Sequence, residues 1–371
     1  MTRREPSDPP PPLGLIAELT HRCPLQCAYC SNPLALEPSR EELGTGDWLR
    51  VFDEAASLGV LQVHLTGGEP MARGDLDALV RHAAGAGLYT NLITSGVQLD
   101  ARRMAVLREA GLDHVQLSFQ HVHAAEAERI GGMRGAQARK LEAAQAVRES
   151  GVALTANFVI HRQNVSHVAE MIDLGASIGA SRVEIAHTQY YGWGLLNRAA
   201  LMPSREEVDR ATAAVEAGRA TYAGRLRIDY VTPDYYGRRP KACMGGWARR
   251  LLNVSPSGRA LPCHAAETIT DLAFPSVRER SLASIWRDDP AFGRFRGTDW
   301  MKPPCRDCAF REIDWGGCRC QALALLGDAA ATDPACEFSP VHHVMTDAVA
   351  LRGEKPVDVA PRRIGAAPRV A

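Results

Sequence analysis

The sequence carries no net charge, with Lys plus Arg and Asp plus Glu at 43 each. That balance excludes the global field that draws a chain to nucleic acid or to an anionic surface. No apolar run approaches the roughly 20 residues of a membrane helix. The opening Met1-Thr2-Arg3-Arg4 brings early charge with no apolar stretch behind it, so no secretory signal is read. A cytoplasmic protein is expected, with neither nucleic acid nor membrane as partner. Cysteine is missing between Cys30 and Cys243, yet the chain has ten: three within Cys23–Cys30 and seven within Cys243–Cys336. In a reducing compartment, clustered cysteines bind metal in preference to forming stable disulfides. The asymmetry points to two metal-bearing regions around an α/β body.

A length of 371 residues accommodates one large domain and a smaller one. The Pro-rich residues 1–13 have little to bury and are expected to be a disordered arm. From Gly14 onward, short apolar runs alternate with amphipathic stretches. Strands are predicted at Leu15–Leu19, Val60–Leu65, Leu88–Ile93, His114–Phe119, Val152–Val159 and Arg182–Ala186. Helices are predicted at Asp47–Leu58, Leu76–Ala86, Ala101–Ala110, Ala136–Glu149 and Val165–Ile178. Such βα repetition implies a parallel sheet, here a partial (β/α)6 TIM-like barrel over 14–235, with a flat doubly wound sheet as the alternative. Ligands gather at the C-terminal ends of its strands in either case. After Pro240 the chain turns rich in Cys, Gly, Trp and Arg, with a hairpin signal at Ser255-Pro256-Ser257-Gly258. Residues 236–350 read as a small domain held by metal more than by apolar burial. The Pro-, Arg- and Ala-rich 351–371 are expected to be a disordered tail.

Just after the first strand, Cys23-Pro24-Leu25-Gln26-Cys27-Ala28-Tyr29-Cys30 forms a C-x3-C-x2-C loop. Three thiolates on one short loop hold three irons of a cubane cluster and leave the fourth open to a chelating small molecule. Structural zinc is the alternative, but it wants four protein ligands, and only His21, at strained geometry, stands near enough to add one. After the second strand comes Thr66-Gly67-Gly68-Glu69-Pro70, where glycines permit close backbone approach. Together these segments resemble the radical S-adenosylmethionine superfamily over roughly Leu15 to Gln189. The resemblance implies that Cys23, Cys27 and Cys30 hold a [4Fe–4S] cluster whose open iron binds S-adenosylmethionine. Tyr29 would lie against the adenine, and the segment Gly67-Gly68-Glu69 would contact the amino group. One electron from the cluster would cleave the cofactor to a 5′-deoxyadenosyl radical that takes hydrogen from substrate. Ser118 resembles the family's polar contact at the fourth strand's end. Arg134 is a candidate partner for the cofactor carboxylate, and Asn157 a candidate for the same cavity. A plain solvated polar group is the alternative for each.

Cys243-x14-Gly258-x4-Cys263, Cys305-x2-Cys308, Cys318-x-Cys320 and Cys336 remain. Two zinc ribbons would use such spacing. The arrangement also resembles the SPASM domain of peptide-modifying radical enzymes. Laid on that pattern, the cysteine block meets Asp314 where a cysteine is expected. Asp314 either ligates iron itself or stands beside an open iron, and filling the position in register favours ligation. Family pairing then gives one auxiliary cluster to Cys243, Cys263, Cys318 and Cys320, and a second to Cys305, Cys308, Asp314 and Cys336. The first is either [4Fe–4S] or [2Fe–2S], and Cys320 is alternatively a spare thiol.

Ser118-Phe119-Gln120, Gln189-Tyr190-Tyr191-Gly192-Trp193-Gly194-Leu195, Met244-Gly245-Gly246-Trp247 and the Asp314 departure together resemble the maturases of pyrroloquinoline quinone biosynthesis. This resemblance implies a carbon–carbon bond between a Glu side chain and a Tyr ring of the precursor peptide PqqA. With few residues ahead of the first strand, the peptide is expected to be held by a separate chaperone, PqqD. A flavodoxin-like donor would supply the electron. His187, Tyr190, Tyr191 and Asp234 are candidates for the base that restores aromaticity. Rival readings are a sulfatase-activating or thioether-forming SPASM maturase, an iron–sulfur electron carrier, and a zinc-ribbon nucleic-acid binder.

Overall fold

The computed structural model describes residues 9–352 and 359–363. Residues 1–8, 353–358 and 364–371 of the two expected disordered segments lie outside the described residues.

Nine strands form one sheet: β1 Gly14–Thr20, β2 Gln62–Gly67, β3 Tyr89–Thr94, β4 His114–Phe119, β5 Ala153–Ile160, β6 Arg182–His187, β7 Arg227–Val231, β8 Leu251–Val254 and β9 Ala260–Leu261. Their order is β7-β6-β5-β4-β3-β2-β1-β8-β9, and all neighbours are parallel except β8 and β9. The order is linear, so the barrel is partial and a closed eight-fold ring is not formed. Helices Thr45–Leu58, Leu76–Gly85, Ala101–Glu109, Ala136–Ser150, Val168–Ser177 and Arg205–Thr221 fill the crossovers.

Alternation along the strands sorts the two faces. On β4, Val115, Leu117 and Phe119 are fully buried and join the main core with Leu79, Leu107 and Val147 of the helical layer. The other face carries polar groups into the barrel. There Gln116 and Asn157 both donate to Glu184 Oε2, at 3.2 and 3.3 Å. Burial pushes the Glu184 carboxyl above its usual range.

The Ser255–Gly258 signal is a hairpin, with Asn253 opposite Leu261. Its first strand, β8, also extends the parallel sheet by pairing with β1 from Gly14–Leu251 to Ala17–Val254. The cysteine-rich segment thus shares a sheet with the barrel. The arm is ordered at its end, contrary to expectation: Trp286 Nε1 donates to Pro10 O at 2.9 Å, and Leu13 N to Arg250 O at 2.7 Å. Part of the tail is ordered too, with Ala360 and Asn197 exchanging two hydrogen bonds of 2.8 Å. Proline-rich composition denied these segments a regular element, but single backbone groups still found partners in the core. Among the described residues no helix is long and apolar enough to cross a membrane.

Candidate active site and auxiliary metal centres

The three-cysteine loop leaves β1 at the C-terminal edge of the sheet, where a parallel barrel places its ligands. Neighbouring loops grip its backbone. Glu69 N donates to Arg22 O at 2.7 Å, Gln26 N to Gly131 O at 2.8 Å, and Gly194 N to Cys30 O at 3.0 Å. The side chain of Asn197 donates to Ala28 O at 2.9 Å. Close approach explains the glycines: a Cβ on Gly67 would stand 2.3 Å from Thr20 O, and one on Gly68 2.4 Å from Arg22 O. A Cβ on Gly192 would stand 1.9 Å from Asn32 O, so the aromatic-glycine run after β6 is the far wall of the loop.

Cys23, Cys27 and Cys30 line one cavity of about 260 Å³ with Tyr29, Gly67, Gly68 and Ser118. Burial pushes the Cys23 thiol up to about 12 and raises Cys27 and Cys30 as well. Two cations oppose this: Lys140 acts on Cys27, and Arg362 on all three. Three thiols, Cys27 buried and Cys23 and Cys30 partly so, faced by two cations suit a group that takes them as thiolates and carries negative charge. No other cysteine, and no carboxylate, lines this cavity among the described residues. His21 does not complete a zinc set, because its Nδ1 accepts from Glu37 N at 2.9 Å and its Nε2 faces Glu18 at 3.5 Å. The donor set therefore fits a cluster with three protein ligands and one open iron.

The other expected residues divide. Tyr29 lines the cavity; its hydroxyl accepts from Gln120 Nε2 at 3.1 Å, and its ring lies 5.2 Å from His161. Glu69 is fully buried and turned inward: Thr94 Oγ1 donates to it at 2.6 Å, Ser95 N at 2.8 Å and Met71 N at 3.1 Å, and Ser95 Oγ also reaches it. Glu69 thus braces the turn with its carboxylate, while Thr66, Gly67 and Gly68 of this segment face the cavity. Arg134 is exposed and off the cavity wall, because Gly132 and Gly135, both at positive φ, turn the segment outward. Asn157 is likewise off the wall, its amide committed to Glu184.

Of the four candidate bases, only His187 lines the cavity. Its Nε2 meets Tyr230 OH at 3.0 Å, its buried Nδ1 has no partner among the described residues, and burial holds the ring near 4, hence neutral. Tyr190 packs on Tyr235 at 5.1 Å, and Asp234 pairs with Lys241 at 2.9 Å. Three residues were not foreseen. Gln120 lines the wall, fully buried Lys140 donates to Ser118 O at 2.8 Å and to Gln120 Oε1, and Arg362 reaches the cavity from the tail, tied to His21 O and Gln26 O. Lys140 sits on an Ala-rich helix with little periodicity, so nothing in its sequence neighbourhood marked it as buried.

The C-terminal cysteines form two groups. Cys243, Cys263, Cys318 and Cys320 make a closed ring in which each thiol neighbours two of the others. Their mutual interactions raise Cys243 and Cys320 and lower Cys263 and Cys318. Cys305, Cys308, Asp314 and Cys336 line a second cavity of about 300 Å³. Trp315, Gly316 and Gly317, all at positive φ, reverse the chain between Asp314 and Cys318, which sends one to each group. Asp333 stands between them: it lines the second cavity while its carboxylate accepts from Cys318 N at 2.6 Å.

Fold and site together define a class, the radical S-adenosylmethionine enzymes with a SPASM domain. Residues 17–175 match the Radical SAM superfamily and residues 243–309 an iron-sulfur cluster-binding domain, SPASM. The PqqA peptide cyclase of Granulibacter bethesdensis is 62% identical over 358 residues, covering 96% of each chain. That of Gluconobacter oxydans is 61% identical over 92% of this chain and 95% of its own. SuiB of Streptococcus suis, solved with S-adenosylmethionine bound, shares the fold with a TM-score of 0.72 at 20% identity, over 88% of this chain and 77% of its own. The chain belongs to the PqqA peptide cyclase family. It is an iron–sulfur enzyme that uses S-adenosylmethionine.

Proposed function

We propose that this enzyme joins a Glu side chain to a Tyr ring of the precursor peptide PqqA through a new carbon–carbon bond, in pyrroloquinoline quinone biosynthesis. The observation that carries this reading is full-length identity above 60% to PqqA peptide cyclases, joined to a three-thiol cavity at the strand ends. Cys23, Cys27 and Cys30 would hold the catalytic cluster, and Gly67, Gly68 and Ser118 would border the bound S-adenosylmethionine. When bound, these two groups supply a 5′-deoxyadenosyl radical that takes hydrogen from the peptide.

The chain's own residues position and shield. Lys140 and Arg362 offset negative charge at the loop, and Gln120 fixes the Tyr29 hydroxyl. The Gly192–Leu196 helix closes the far side of the loop against water. His187 is the best-placed proton acceptor for restoring the Tyr ring, since it lines the cavity, is neutral and has no partner for its Nδ1 among the described residues. The ring of Cys243, Cys263, Cys318 and Cys320, and the set of Cys305, Cys308, Asp314 and Cys336, would hold two auxiliary clusters, one of which would take the departing electron. PqqD presenting the peptide, a flavodoxin as donor and a cytoplasmic setting complete the reading. Ten free cysteines fit a reducing compartment.

The test is anaerobic. Reconstituted enzyme, S-adenosylmethionine, reductant, PqqD and PqqA are combined and read by mass spectrometry. Deoxyadenosine with a peptide lighter by two hydrogens and a Glu–Tyr link is expected. Deoxyadenosine with unaltered peptide overturns the substrate, and full cross-linking without PqqD overturns the chaperone's role.

A further inference from the structure

Outside the cysteine sites, one cluster of metal-ligating side chains stands on the loops after β4 and β5. His121 and His123 follow β4 directly; His167 and Glu170 lie at and just past the start of the Val168–Ser177 helix. His167 Nδ1 is 2.7 Å from Glu170 Oε1, and His123 Nε2 is 3.5 Å from Glu170 Oε2. One donor atom from each of His123, His167 and Glu170 lies within 4.8 Å of the other two. Zinc–ligand bonds of about 2.0–2.1 Å place tetrahedral donors about 3.3–3.4 Å apart, so these side chains need only small movements to close on an ion.

The third imidazole strengthens the case. His121 is buried, with its ring centroid 4.6 Å from His167 and 5.2 Å from His123; the latter two are 5.1 Å apart. Its Nδ1 accepts from His123 N at 3.0 Å, which fixes that ring's orientation. An ordinary surface ion pair of His and Glu needs one imidazole; here two, His123 and His167, meet one carboxylate, with a third ring packed against both.

We propose that His123, His167 and Glu170, with His121 packed behind them, form a binding site for a divalent transition-metal ion of the zinc type, separate from the iron–sulfur centres. Two histidines and a carboxylate are a borderline donor set, suited to Zn²⁺ with a position left open. An ion there staples the β4 loop to the β5 loop. The first of these carries Gln120 of the cavity wall, and the second carries Asn164, whose amide donates to Gln120 O at 2.9 Å. The site would therefore stiffen one wall of the active cavity without entering it.

The experiment uses the cluster-loaded enzyme, equilibrated with Zn²⁺ alone and desalted under anaerobic conditions. Metal content is measured for iron and zinc, and the zinc surroundings by X-ray absorption. One zinc per chain with only nitrogen and oxygen neighbours and undiminished iron is expected. The double variant H123A/H167A should lose that zinc while retaining its iron, and E170Q should hold it more weakly. Retention of zinc by the double variant, sulfur among its neighbours (zinc in a cysteine site), or no zinc above background in the parent enzyme each overturns the proposal.

Discussion

Asp314 is the residue that would separate the proposed second auxiliary site from an all-sulfur one. Its Oδ1 accepts from Gly316 N at 2.9 Å, while burial pushes its carboxyl above the usual range and the side chain faces the cavity of Cys305, Cys308 and Cys336. A carboxylate costly to bury alone is favourable when it ligates a cation. Asp314→Ala should alter the paramagnetic resonance spectrum of that cluster and leave the others as they were; an unchanged spectrum defeats ligation. Tyr191 makes a comparable contact at the proposed first auxiliary site, where its hydroxyl lies 2.9 Å from Cys318 Sγ. Hydrogen bonds to cluster sulfurs favour the reduced, more negative state and so raise the potential. Tyr191→Phe should lower the midpoint potential of that cluster alone, checked by redox titration. A potential that does not move means the hydroxyl only packs there.

Elements explain what was legible and what was not. β4 was read at its observed limits and β1, β2, β3, β5 and β6 within a few residues, because alternating βα units leave two distinct periodicities in the sequence, whereas β7, Arg227–Val231, was not foreseen. The cysteine loop and the Gly67–Gly68 turn were legible because metal ligation and close backbone approach each demand particular residue types. Pairing of β8 with β1 was not: four residues, Leu251–Val254, carry too little pattern to name a partner so remote in sequence. Arg134 misled because a guanidinium in a Gly-rich stretch suits an anion, whereas the flanking left-handed glycines turn it to solvent. The segment 359–363 was unreadable for the opposite reason, since its attachment rests on single groups and no periodicity. Its Arg362 is buried against the cysteine loop, where the cation should stabilise added electrons. Arg362→Ala is therefore expected to lower the midpoint potential of the catalytic cluster at unchanged iron content. Equal potentials in the two proteins would falsify a charge role for this segment.

At the scale of the whole molecule, barrel and cysteine-rich region are joined by a shared sheet and, among other contacts, by a partly buried carboxylate with several donors. Glu37, from the stretch after the cysteine loop, accepts from Ser257 N at 2.7 Å, Ser257 Oγ at 2.9 Å, Ser255 Oγ at 3.1 Å and Arg259 Nη2 at 2.6 Å, all in the β8–β9 hairpin. Arg259 reaches on to Glu267 at 2.6 Å. Burial by itself would lift the Glu37 carboxyl, but the donors from Arg259 and Ser257 outweigh it and hold the group below its ordinary 4.5. A carboxyl lowered on folding adds stability above its unfolded value, and that contribution is lost as pH falls through the folded value. Glu37→Ala removes the acceptor and leaves several donors without a partner, a loss of about 1–3 kcal/mol. The melting temperature of the cluster-loaded variant should fall at neutral pH, and its gap to the parent should narrow as the buffer is taken below the ordinary carboxylate range. Because the hairpin also carries the β8 edge of the sheet, the loosening should reach both regions: iron should leave the catalytic and auxiliary sites of the variant together on warming. Separate losses, with the auxiliary iron released first and the catalytic iron retained to the parent's temperature, would mean that the two regions are stable independently and that this carboxylate only decorates their seam.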